Sequence, residues 1–186
     1  VKEDIIPKPL SPYAVSKLAA ENYTKLFFEA YGLETVCLRY FNVYGPKQGS
    51  GPYSGVIQIF INRALHEHPL IVHGNGEQTR DFVSVQDVVD ANILALRNKN
   101  AVGQVFNIGT GTSTSINQLA KTILQILRKE SLNPIYTDSM PSNILASYAD
   151  ISKARRVLGY NPKITLKEGI TQLVDWYGQS KGKMGH

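Results

Sequence analysis

A helix-length apolar pattern that runs straight into a strand signal limits the fold of this chain more than any other feature. Residues 11–31 carry Leu18, Tyr23, Leu26, Phe27, Ala30 and Tyr31 at helical spacing. Ser11 suits the N-cap, Pro12 the first helical position and Gly32 the stop. Thr35-Val36-Cys37-Leu38-Arg39-Tyr40 then reads as a strand rich in β-formers. Helix, short turn and strand make half of a βαβ crossover. The alternation continues, with helices predicted over 56–66, 84–97, 115–127, 152–158 and 165–176 and strands over 70–73, 79–83, 104–108 and 134–137. Ser84 with Asp87 has the spacing of a capping box, and Ser115 caps the helix that follows it. Such alternation defines an α/β fold.

The first helix also places chemistry. Tyr13 and Lys17 are four residues apart, so they project from one helix face. A cation beside a phenol favours the phenolate and makes a plausible acid/base couple. Tyr-x-x-x-Lys alone is weak, since a solvated helix face is the commoner meaning of such a pair.

Other motifs carry less. Gly109-Thr110-Gly111 follows a strand and precedes a helix, but position 114 is Thr rather than the third glycine of a dinucleotide loop, so a plain strand-to-helix turn is favoured over phosphate cradling. His66, His68 and His73 lack the cysteine or carboxylate partners of a metal site, and none is expected. Cys37 is single and lies in an apolar run, which suits a small core residue. The 20 Lys+Arg against 15 Asp+Glu give net +5, but the basic residues are scattered, arguing against nucleic acid and leaving room for a small anionic ligand. No apolar run approaches the ~18 residues of a membrane helix. With no signal peptide at Val1-Lys2-Glu3-Asp4, a cytoplasmic location is expected.

Three motifs in order, Ser11-Pro12-Tyr13-Ala14-Val15-Ser16-Lys17, then Leu38-Arg39-Tyr40-Phe41-Asn42-Val43-Tyr44-Gly45-Pro46, then Gly74-Asn75-Gly76-Glu77-Gln78-Thr79-Arg80-Asp81-Phe82-Val83, make the chain resemble the extended short-chain dehydrogenases that act on nucleotide sugars. The likeness is closest to the NAD-dependent UDP-sugar 4-epimerases and runs from about Glu3 to about Trp176. It implies the C-terminal portion of a Rossmann-type doubly wound parallel sheet plus a small α/β substrate-binding domain. The family's glycine-rich loop and the Ser/Thr of its catalytic triad would lie upstream. Residues 1–45 and 84–108 would belong to the NAD-binding part, 46–83 and 109–181 to the substrate-binding part, and 182–186 to a flexible tail, with disorder expected from Gly178 onward. Cut off from its neighbours, the 35–40 strand would be an unpaired apolar edge and the isolated chain fragile or oligomeric.

The same resemblance implies roles. Tyr13 would take the proton from the sugar 4-hydroxyl while hydride passes to NAD, and Lys17 would hold the nicotinamide ribose. Phe41 would lie near the nicotinamide. Asn42, Val56 and Arg80 would meet the nucleotide sugar, Arg80 by gripping the diphosphate bidentately; an ion pair with Asp81 or Glu77 is its bland alternative. Arg39 reads as structural. Ser147, just ahead of Ala149-Asp150, would wall the pocket beside the sugar's carbon 2, and so small a residue admits an acetamido group. Met140-Pro141-Ser142-Asn143 departs from the family's R-P-G-D and loses a second arginine clamp. A 4,6-dehydratase or decarboxylase of the same family is the rival enzyme, and a non-catalytic module without NAD is the rival of another class. A homodimer through the 11–31 helix is expected from its aromatic stripe of Tyr23, Phe27 and Tyr31.

Overall fold

The computed structural model describes residues 1–48, 55–139 and 144–182. Helix α1 spans Pro12–Tyr31, with the Ser11 side chain accepting from Ala14 N and Gly32 closing it in the left-handed region at φ 67°. Strands β1 (Cys37–Tyr40) and β2 (Asn42–Tyr44) follow, then α2 (Val56–Leu65), β3 (Ile71–His73), β4 (Thr79–Arg80), β5 (Phe82–Ser84), α3 (Val85–Arg97) and β6 (Val105–Ile108). The remainder is β7 (Thr114–Ser115), α4 (Ile116–Leu127), β8 (Ile135–Thr137), β9 (Ala146–Ser147), α5 (Ser152–Leu158) and α6 (Leu166–Gly182). The α/β class holds, and the pairings β1 with β6, β2 with β5 and β3 with β8 are all parallel. Strand β4 is flanked by antiparallel β7 and parallel β9.

Two buried clusters hold these layers together. The first gathers Tyr44, Phe60, Ile61, Leu70, Val72 and Phe82 with the apolar stripe of α4 and Ile170 and Leu173 of α6. The second gathers Val83, Val88, Ala91, Phe106 and Ile108 with Ala149, Ile151, Ala154, Leu158 and Tyr160. The last five come from the stretch that the sequence assigns to the substrate-binding part. Each fully buried large side chain stabilises by roughly 1.5–3 kcal/mol.

Strand β1, expected from sequence to be an unpaired apolar edge, pairs with β6 on one side, and among the described residues no strand pairs with its other side, so it remains an edge but not an unpaired strand. The outer edge of β6 is closed by side chains instead of a strand. Lys153 Nζ donates to Val105 O at 2.8 Å, Asn107 N donates to Glu3 Oε1 at 2.8 Å, and Tyr160 Oη donates to Gly109 O at 2.9 Å. These bonds satisfy backbone groups that would otherwise invite another strand.

Three local expectations fail for identifiable reasons. Asp87 does not complete a capping box with Ser84: Ser84 accepts from Gln86 N, and the Asp87 carboxylate accepts from Lys163 N and Ile164 N. The single strand predicted over 79–83 divides at Asp81, whose carbonyl accepts from Asn42 N at 2.9 Å. Helix α6 continues through Gly182, past Gly178, where disorder was predicted. Residues 140–143, where the R-P-G-D departure lies, fall outside the described residues.

Candidate active site

The tyrosine and lysine of α1 lie together as their spacing requires. Lys17 Nζ stands 5.4 Å from the centroid of the Tyr13 ring, within cation–π range. Tyr13 is 71% exposed, so its phenol is open to a ligand. The helix that carries the pair has no buried residue; its half-buried Phe28 ring lies over Gly103 ahead of β6, and a polar tie reaches β1. Glu21 receives Arg39 bidentately, Nε to Oε2 at 2.7 Å and Nη2 to Oε1 at 2.8 Å. Hydrogen bonding from Arg39 outweighs burial and, with help from Lys25, holds the Glu21 carboxyl down to about 2. Arg39 is therefore structural: it ties the helix of Tyr13 and Lys17 to β1.

From Arg39 the chain passes to Phe41 and Asn42, which step between two sheets. Phe41 N donates to Ile108 O on β6, and Asn42 N donates to Asp81 O between β4 and β5. Phe41 is half-buried against the second cluster, whereas Asn42 is exposed. Asn42 then lines a cleft of ≈ 260 Å³ together with Val56, Phe60, His73, Gln78 and Arg80. Three of the four residues predicted for substrate, from β2, α2 and β4, thus share one cavity. The fourth, Ser147, is the register partner of Arg80 across the parallel β4–β9 pair. Tyr13 and Lys17 do not line this cleft.

Arg80 is positioned by the backbone: Nη1 donates to Thr79 O at 2.7 Å and to Ile144 O at 2.6 Å. Burial lowers its pKa from the ordinary arginine value, because the charged form loses hydration there. The alternative partners expected from sequence are otherwise engaged. Glu77 accepts from Asn117 Nδ2 at 2.7 Å, and the Asp81 carboxylate is taken up by two loops.

Those loops explain the Gly109-Thr110-Gly111 motif. Its amides do converge on an anion, but the anion is internal: Thr110 N donates to Asp81 Oδ1 at 2.8 Å and Gly111 N to Oδ2 at 2.9 Å. A Cβ on Gly109 would lie 2.6 Å from Asp81 Oδ2 and 2.9 Å from Ala149 Cβ, so glycine is needed there for close approach. The turn offers these amides to Asp81 and not to a phosphate. Among the described residues, then, the amides of this turn are taken up by an internal carboxylate, and the chemistry open on α1 is the exposed Tyr13 phenol with the Lys17 ammonium beside it.

Sequence reasoning missed Gln78 and His73 as cleft residues, and Asp81 altogether. Gln78 was legible from strand alternation, since it stands two residues before Arg80 and shares its side of the chain. His73 is fixed by a 2.9 Å contact between its Nδ1 and Thr137 Oγ1 across β3 and β8. A carboxylate placed between Arg80 and the apolar pair Phe82-Val83 was the available sign for Asp81. Among the described residues no group of His, Cys, Asp and Glu could hold a metal ion. No helix among them is long and apolar enough to cross a membrane.

Known proteins resemble this chain in sequence and fold. A relative from Methanocaldococcus jannaschii, provisionally named a UDP-glucose 4-epimerase, is 45% identical over 170 residues, 90% of this chain and 53% of that protein. The dTDP-D-glucose 4,6-dehydratase of Bos taurus is 37% identical over 179 residues, 93% of this chain and 49% of that one. The crystal structure of UDP-glucose 4-epimerase from Thermotoga maritima with UDP-glucose superposes with a TM-score of 0.92 at 39% identity, over 97% of this chain and 58% of that one. The chain spans about half the length of the curated relatives it matches. The model of the NAD dependent epimerase/dehydratase family matches residues 2–109, more than half of the sequence and including both the Tyr13–Lys17 pair and Arg80. With its parallel sheets and the gathered motif residues, this chain belongs to the NAD dependent epimerase/dehydratase family.

Proposed function

We propose that the chain supplies the catalytic couple and the sugar-nucleotide side of a nucleotide-sugar 4-epimerase acting on UDP-hexoses, working together with an upstream NAD-binding half. The observation that carries this reading is the convergence of Asn42, Val56 and Arg80 on one cleft, with Ser147 paired to Arg80. NAD, when bound, accepts a hydride from carbon 4 of the sugar and returns it. Tyr13 removes the proton of the 4-hydroxyl and gives it back, and Lys17 holds the nicotinamide ribose and keeps a positive charge beside the phenol. Arg80 neutralises the diphosphate and so fixes the pivot about which the oxidised sugar turns. Because Asp81 occupies the Gly109-Thr110-Gly111 turn that imitates a dinucleotide loop, the 186 residues alone are expected to have little hold on NAD and to be inactive.

A second reading within the family, 4,6-dehydration, has the bovine relative in its favour. Against it, Arg39-Tyr40-Phe41-Asn42-Val43-Tyr44-Gly45 differs from the R-x-x-N-N-Y-G typical of that group. The assembled enzyme, assayed on UDP-glucose and UDP-N-acetylglucosamine, separates the two: interconversion at carbon 4 is expected, and a 4-keto-6-deoxy product would replace the epimerase reading. The same assay tests the wall at Ser147, which is half-buried beside Arg80. Ser147→Tyr is expected to lose the acetamido sugar selectively, by roughly 10–200-fold. Equal losses on both sugars would take Ser147 out of that role.

We also propose a homodimer in which α1 packs against its copy. Tyr23, Phe27 and Tyr31 are 66%, 48% and 78% exposed, an apolar area that a monomer leaves in water. Light scattering should give twice the monomer mass, and a monomer at every accessible concentration would refute the assembly.

A further inference from the structure

We infer that Asp81 is the positioning residue of the nucleotide-sugar cleft, holding Asn42, Arg80 and Ser147 in one frame; the inference rests on the cleft being the nucleotide site. Its side chain is fully buried, and its oxygens are taken up by Thr110, Gly111 and Ala149. Oδ1 accepts from Thr110 N at 2.8 Å and Thr110 Oγ1 at 2.7 Å, and Oδ2 accepts from Gly111 N at 2.9 Å and Ala149 N at 3.1 Å. A carboxylate is acceptor-only, so all four contacts suit its chemistry. Its own carbonyl accepts from Asn42 N.

These bonds reach three of the four substrate residues within two positions. Asn42 is bonded directly, Arg80 is the preceding residue, and Ser147 lies two residues before Ala149 on the strand that pairs with β4. Strand β9 is only two residues long, so its pairing to β4 is a weak hold by itself. The Ala149 amide clamped to Asp81 supplies the second point that fixes where Ser147 stands relative to Arg80. An amide side chain cannot replace the carboxylate, because one of its two ends would turn a donor toward donors already there.

Titration calorimetry with uridine diphosphate on the 186-residue chain tests this. The control is Asp87→Asn, a second buried carboxylate bonded to two backbone amides, Lys163 N and Ile164 N, and not part of the cleft lining. Both Asp81→Asn and Asp87→Asn should melt at lower temperature. Measured where circular dichroism shows both folded, Asp81→Asn should bind uridine diphosphate more weakly by on the order of tenfold or more, and Asp87→Asn should bind like the parent. Unchanged affinity in Asp81→Asn, or equal losses in the two variants, would reduce Asp81 to a packing role and overturn the proposal. Should Asp81→Asn not fold, Gly109→Ala decides by the same titration, since its methyl wedges the carboxylate from Ala149 without removing any bonding group; parent-like affinity there would also overturn it. A parent chain that binds no uridine diphosphate would instead remove the nucleotide reading of the cleft, and the inference with it.

Discussion

Replacing Tyr13 by Phe is expected to lower turnover of the assembled enzyme by ~10²–10⁴ while leaving fold and NAD affinity close to normal. The change deletes one hydroxyl and nothing else. With 71% of the residue exposed, no packing is lost. The contact with Lys17 Nζ is made to the ring, which phenylalanine keeps. The cap of α1 uses Ser11 and the amide of Ala14, and Ser16 Oγ donates to the Tyr13 carbonyl, so the local backbone is untouched. Any loss of rate therefore reports the proton that the phenol carries. Turnover of UDP-glucose, measured beside thermal melting and NAD titration, checks it. Near-normal turnover would remove Tyr13 from acid/base work.

Arg80→Leu is expected to weaken uridine diphosphate binding by roughly tenfold to a hundredfold, corresponding to the ~1.5–3 kcal/mol typical of a charge-assisted contact. Nη1 donates to the carbonyls of Thr79 and Ile144 in a partly buried setting, so the guanidinium is held in place before any ligand arrives. Leucine keeps the apolar stem and removes the fork. Arg80→Lys should fall between, because it restores the charge without the planar pair of donors. Calorimetry on the three proteins gives the order directly. If Arg80→Leu binds as tightly as the parent, the diphosphate lies elsewhere.

What sequence could show here was local, and what it missed was distant. Ser11, Pro12 and Gly32 delimit α1 because caps act within a few residues of the helix they end. Ser115 likewise caps α4, with Gln118 completing a reciprocal box. Asp87 had the spacing of a cap but bonds to Lys163 and Ile164, 76 and 77 residues away. Asp81 accepts from partners 29 to 68 residues away, and no short-range pattern encodes such a bond. The glycines at 109 and 111 were read as a plain turn; the tertiary structure adds the reason, an internal carboxylate in the amide nest. The cleft was legible as a set of residues through family motifs and Gln78 through its spacing from Arg80, whereas His73 joins only in the folded chain, where its carbonyl accepts from Gln78 Nε2 at 2.8 Å.

Strand β5 is three residues long, and its neighbouring side chains serve different interiors, Phe82 the first cluster and Val83 the second. Shifting the strand by one residue would empty both interiors and fill each with the other's side chain, so each cluster proofreads the register demanded by its counterpart. Arg80 and Asp81, immediately upstream, inherit a location specified twice over. An inserted residue could be absorbed at the Gly74-Asn75-Gly76 turn, but at β5 it would misplace the clamp, its anchor and both cores in a single step.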